Sequence, residues 1–167
     1  MPLIRHARHD EVGTLTAIGL RAWEGATSGL VDVASMRRLA ENAFADFLTN
    51  NWLSVSLIEV DGRPRGWAAR ENFDENISDL WIDPDVQAQG LGARLLADIE
   101  LRISNDGFET AKTKTHAQNA AAIGFFRKHG YGVSWLSTAY APKLDRDVEF
   151  IGLSKPLAEA DTELYGR

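Results

Sequence analysis

The sequence predicts an α/β (α+β) fold, with a mixed, mostly antiparallel central sheet flanked by about four helices. Three observations carry that expectation. Apolar residues recur at period two in some segments and at helical spacing in others, and the two kinds alternate along the chain. Hairpin signals such as Asp61-Gly62 join neighbouring strands, whereas helices cross between later ones. The run from Trp81 to Leu96 reads as a buried strand stopped by Pro84, a short loop, two glycines one residue apart, and an apolar helix.

Taken in order, Leu3 to Ala7 is a short strand. Asp10 caps a helix carrying Val12, Leu15, Ile18 and Ala22 on one face and ending near Trp23, with Gly25 to Gly29 as loop. Asp32 caps a second helix in which Met36, Leu39, Ala43 and Phe47 recur. Leu53 to Val60 and Gly66 to Glu71 form a hairpin, and Ile77 to Ile82 is a strand ended by Asp83-Pro84. The third helix, Gly90 to Ile103, aligns Leu91, Leu95, Ile99 and Ile103. After Asp106-Gly107 come a strand from Thr110 to Thr115 and a helix from Asn119 to Lys128, stopped by His129-Gly130. Tyr131 to Ala139 and Val148 to Ser154 alternate as two strands joined by a polar loop.

The 167 residues suit one domain, spanning 1–167, with a full core. A net charge of -6 with no basic run or basic helix face argues against a nucleic-acid partner. Excess carboxylates suit a cationic partner such as an amine. The chain has no cysteine, which rules out a disulfide, a thiolate nucleophile and a zinc–thiolate site. No segment reaches transmembrane length and the N-terminus lacks an apolar signal core, so no membrane partner is expected and the cytoplasm is the default location.

Chemistry concentrates at the strand–loop–helix. A helix N-terminus presents unpaired N–H groups and the positive end of its dipole, which together favour an anion. Glycines at 90 and 92 let a diphosphate approach the backbone with no Cβ in the way. Gln87-x-x-Gly90-x-Gly92 after an aliphatic-x-Pro strand end also resembles the acyl-CoA-binding motif of the GNAT superfamily of N-acetyltransferases. A second segment, Asn119 to Tyr131, is similar to that family's Asn-x-x-Ala-x-x-aromatic-Tyr-x-x-x-Gly-aromatic helix. Two motifs in family order, each on the expected element, are more specific than either alone. The element order also resembles the GNAT order over almost the whole chain.

That resemblance implies acetyl-CoA as co-substrate, no metal, and a small-molecule or protein amine as acceptor, with a homodimer left open. It implies that backbone N–H groups of Gln87, Ala88, Gln89, Gly90, Leu91, Gly92 and Ala93 hold the pyrophosphate, with Arg94 the nearest cation. The strand edge at Leu80, Trp81 and Ile82 pairs with pantetheine, the Leu80 N–H meets the thioester carbonyl, and the Asn119 side chain bonds the pantetheine arm. In family structures this strand and the next splay apart. The sequence departs from the pattern in two places: Ala88 and Gln89 replace residues that are often basic, and Phe126 replaces the tyrosine that donates a proton to the leaving thiolate.

For acceptor deprotonation, the place where some relatives keep a glutamate is Asn76. Glu71, Glu75 and Asp79 flank it, and Asp79 is favoured because Ser78-Asp79-Leu80-Trp81-Ile82 is similar to a run in polyamine-acetylating relatives. Asp79 reaches the cleft only if its strand is bulged or splayed. Trp23 and Trp81 read as core aromatics or as walls of the acceptor pocket. Phe125 and Phe126 read as facing core and cofactor at once. His116 reads as a packed imidazole or as an acid–base group, and Arg127 and Lys128 as ligands of the nucleotide 3′-phosphate or as complements to their helix end. His6-x-x-His9 lacks the support of a metal site. A catalytically silent CoA-binding module of the same fold is the competing reading. A dinucleotide-binding domain is excluded, because the glycine loop comes late and lacks its third glycine.

Overall fold

A computed structural model describes residues 1–29, 32–142 and 145–157. Its elements are β1 (Pro2–His6), α1 (Val12–Thr27), α2 (Val33–Asn51), β2 (Val55–Val60), β3 (Arg63–Ala69), β4 (Asn76–Ile77) and β5 (Asp79–Ile82). They continue with α3 (Leu91–Asn105), β6 (Thr110–His116), α4 (Ala120–Lys128), β7 (Gly132–Ala141) and β8 (Arg146–Pro156). The strands form two sheets, β1-β2-β3-β5 and β4-β6-β8-β7, and among the described residues the β4–β6 pairing alone is parallel. The expected mixed, mostly antiparallel architecture with four helices is therefore present.

The β2–β3 hairpin turns on Asp61 and Gly62, both with positive φ (54° and 80°), which is the primed turn that matches strand twist. One apolar cluster lies between α1, α2 and the sheet, centred on Leu15, Phe44, Leu48, Leu57 and Trp67. The other lies under α3 and α4, with Ile58, Leu95, Leu96, Ile99 and Phe126.

Three local expectations are corrected. α1 runs through Gly25 to Thr27, because buried Thr27 closes the last turn by donating its hydroxyl to Trp23 O at 2.7 Å. That anchor outweighs the roughly 1 kcal/mol a mid-helix glycine costs. Asp10 does not cap α1: it sits in a 3-10 turn, and Glu11 accepts the Arg8 N–H at 2.8 Å while Arg5 grips its carboxylate at 2.6 and 3.0 Å. In α2 the buried stripe is Ala40, Phe44 and Leu48, one column round from the expected set, of which Met36 and Phe47 pack at its margin. Asp32 does cap α2, accepting from the Ser35 N–H and hydroxyl. No helix among the described residues is long and apolar enough to cross a membrane.

Candidate active site

The single strand expected from Ile77 to Ile82 is broken at Ser78, and that break makes the site. Asn76 and Ile77 pair with Lys112 and Thr113 of β6, whereas Asp79 to Ile82 pair only with β3. Ser78 is the pivot. Its N–H and hydroxyl both donate to Ala69 O (2.9 and 3.1 Å), and the hydroxyl accepts from the Glu71 N–H. The Thr113 hydroxyl takes the last β4 carbonyl, Ile77 O, at 3.1 Å. Beyond that point β5 and β6 belong to different sheets.

The break also changes which way side chains and amides face. Ile77 and Leu80, three residues apart, both pack on the α3 side, so one residue of bulge resets the alternation. Asp83 N–H donates to Arg65 O at 2.7 Å, and alternate residues of an antiparallel ladder face the partner. Asp83, Trp81 and Asp79 therefore turn their amides to β3. Leu80 and Ile82 turn theirs to the open edge of the sheet.

At the far end of β5, Asp83 anchors the glycine loop. Its side chain, 4 % exposed, accepts from Arg21 (2.9 Å), Arg65 (3.1 Å) and the Asp85 N–H (3.1 Å). Burial pushes its pKa up, but the Asp85 N–H and the two guanidiniums outweigh that and hold it below the usual carboxylate range. Ala88 and Gly90 both adopt left-handed φ (65° and 79°), folding the exposed loop back onto the start of α3. A left-handed alanine is strained. The first helical hydrogen bond in α3 is Arg94 N–H to Gly90 O, and its N-cap, Gly90, has no side chain to cap it. The N–H groups of Leu91, Gly92 and Ala93 thus precede the helical ladder, a donor set that fits a diphosphate. Gln87, Gln89 and Arg94 are exposed beside it.

Asn119 caps α4, its Oδ1 accepting from the Ala122 N–H at 3.1 Å, so its side-chain NH2 is what remains for a ligand. Phe126 is 7 % exposed and packs edge-on against Phe125 and Tyr131 (5.3 and 5.2 Å), facing core rather than carrying a polar tip. Phe125 lies over the α3 N-terminus, where a Cβ built on Gly92 would meet its ring at 3.4 Å. Arg127 and Lys128 are exposed at the end of α4.

On the α2 side of the break is a cleft of about 480 Å³ whose lining includes Phe47, Glu71, Asp74, Asp79, Lys114 and Trp135. Asp79 is 9 % exposed and its Oδ1 accepts the indole N–H of Trp81 at 3.0 Å. Glu71 lines the same cleft but is exposed, and Glu75 lies 4.0 Å from Lys112. Trp23 is buried in the α1–α2 core. His116 packs on Phe150 and its Nδ1 accepts from the Gln118 N–H. His6 meets Arg102 and His9 meets the Trp52 ring, so the two imidazoles serve different partners. Among the described residues no group of His, Asp and Glu is arranged to hold a metal.

The profile of the acetyltransferase (GNAT) family matches residues 21–131. The peptidyl-lysine N-acetyltransferase YjaB of Salmonella typhimurium is 33% identical over 131 residues, 78% of this chain and 83% of that protein. The ribosomal protein bS18-alanine N-acetyltransferase of Escherichia coli is 27% identical over 121 residues, 71% of this chain and 81% of the relative. The crystal structure of PaiA N-acetyltransferase from Thermoplasma acidophilum in complex with coenzyme A superposes with a TM-score of 0.78 at 17% identity, covering 93% of this chain and 99% of that one.

Proposed function

The chain belongs to the acetyltransferase (GNAT) family, and on that premise we propose that it transfers the acetyl group of acetyl-CoA to a primary amine of a small molecule or protein, by direct attack in a ternary complex. The open edge of β5 is the observation that carries this reading: Leu80 and Ile82 turn their amides to it, and the chain runs on from it through the glycine loop to the N-terminus of α3. An extended pantetheine pairs with such an edge as an added strand does, and its diphosphate then reaches the amides from Gln87 to Ala93. The amide of Asn119 steadies the same arm.

A lysine-like amine is ammonium at neutral pH, and freeing its lone pair costs roughly 4–5 kcal/mol. Asp79, buried beside the break, takes that proton. The nitrogen lone pair forms the C–N bond, the Leu80 N–H meets the charge that gathers on the thioester oxygen, and the C–S bond breaks. Such a backbone donor is worth about 2.7–4 kcal/mol. A thiol with pKa of about 8.5 leaves tolerably without an acid, which accommodates Phe126. The relatives acetylate peptidyl-lysine and a ribosomal protein alanine, which supports a protein amine as acceptor.

The test is free-thiol release from acetyl-CoA with lysine peptides, alanine-terminated peptides and small amines, with the acetylated product identified by mass. Amine-dependent release is expected, and Asp79→Asn should retain CoA affinity while kcat falls about 10²–10⁴-fold. A wild-type protein that binds CoA yet releases thiol with no amine would overturn the reading.

A further inference from the structure

We infer that Trp81 is a positioning residue: its indole N–H holds the Asp79 carboxylate in the orientation that accepts the proton of the incoming amine. The inference rests on the proposed role of Asp79 and adds to it a residue that the strand pattern does not assign.

The two side chains are two apart on β5 and so share the face turned to α1 and α2. The indole donates to Asp79 Oδ1 at 3.0 Å. A Trp serving only as core filler needs an N–H partner, but any nearby carbonyl would suffice. Here the partner is a carboxylate on the wall of the cleft.

The ring itself is fixed from behind. Phe44 of α2 meets Trp81 edge-on at 5.1 Å and 87°, and meets Trp67 of β3 at 6.1 Å. Phe47 in turn stacks on Trp67 at 6.1 Å and 20°. The donor is thus braced by two helical turns and the neighbouring strand, a support that a flexible side chain would lack. A donor held in this way favours the ionised carboxylate and restricts its rotation.

Other charges bear on the same carboxylate. Glu71 and Asp74 come from the loop after β3, and Lys112 and Lys114 from β6. Glu75 is engaged with Lys112. From α1, Arg21 is held by Asp83 and Glu24 by Arg37. Trp81 differs from these charges in donating its N–H from the packed side of the strand.

The experiment replaces the donor and keeps the ring. Trp81→Phe should lower kcat about tenfold, leave KM for acetyl-CoA within about twofold, and move the acidic limb of the pH–rate profile upward by about one pH unit. Trp81→3-benzothienylalanine, which keeps the bicyclic shape without the N–H, should do the same if the Phe variant folds poorly. In an Asp79→Asn background either change should alter kcat by less than about twofold. Wild-type kcat and pH profile in both variants would refute the inference alone, as would equal losses in both backgrounds. A fully active Asp79→Asn enzyme would instead remove the proposed base, and the positioning role with it.

Discussion

Gly92→Glu separates the demands of folding from those of anion binding, because the two have opposite signs. Gly92 is the second residue of α3, and a Cβ there would sit 3.4 Å from the Phe125 ring and 3.6 Å from Ile82 Cγ1, which is ordinary contact. Replacing a helical glycine gains up to about 1 kcal/mol in propensity, and a carboxylate in the first turn adds about 0.3–1 kcal/mol through the helix dipole. After some loss to crowding at Phe125, the net gain of about 1 kcal/mol raises Tm by roughly 2–4 °C for a domain of this size. Binding should move the other way. The new side chain occupies the approach to the uncapped amides, and losing two charge-assisted hydrogen bonds at about 1.5–3 kcal/mol each weakens CoA by at least about a hundredfold. Gly13 is the matched control: it is the second residue of α1, and a Cβ there meets nothing within 4 Å. Gly13→Glu should leave CoA affinity within about twofold. Isothermal titration with CoA, paired with thermal melts, reads both signs. A folded Gly92→Glu protein that binds CoA as tightly as wild type would refute the placement of the diphosphate.

Phe126→Ala should cost about 3–5 kcal/mol in denaturant titrations, the range for a buried aromatic, and Phe126→Tyr should match or exceed the wild-type rate. Asp83→Asn should lose about 2–3 kcal/mol at pH 7, less than a fully buried pair because Arg21 is half exposed. Because the folded pKa of Asp83 is depressed, that difference should be complete above about pH 5 and fade as pH falls through the carboxylate range; urea unfolding as a function of pH measures it. Arg70 is buried and donates to Phe73 O, Asp74 O and Asp106, clamping the loop that carries Glu71 and Asp74. Arg70→Met should cost about 2–4 kcal/mol and raise KM for the amine, while calorimetry finds CoA affinity unchanged.

Local signals were legible in the sequence wherever one residue type answers one backbone need. Asp61-Gly62 specifies its turn and Asp32 its cap. The stripe of α2 was not legible, because Leu39-Ala40, Ala43-Phe44 and Phe47-Leu48 are apolar pairs, and a period of 3.6 fits either column. Packing of Phe44 between Trp67 and Trp81 decides it. The break at Ser78 was invisible for a different reason. Locally the sequence reads as one continuous strand, and only the competition of two sheets for its two edges, settled by Ser78 and Thr113 hydroxyls, divides it. The motif therefore marked the glycine loop from sequence, whereas the orientation of Asp79, its indole donor and the Asp83 anchor depend on partners distant along the chain. Asp83, paired with Arg21 and Arg65, carried no sequence signal beyond standing before a proline.

The most direct test of the account is a crystal structure with acetyl-CoA bound. The thioester oxygen should lie about 2.7–3.2 Å from the Leu80 amide nitrogen, with pantetheine along the edge from Leu80 to Ile82 and the diphosphate on the amides from Gln87 to Ala93. A complex in which the thioester lies away from the break at Ser78, with the Leu80 amide facing only solvent or protein, would contradict it.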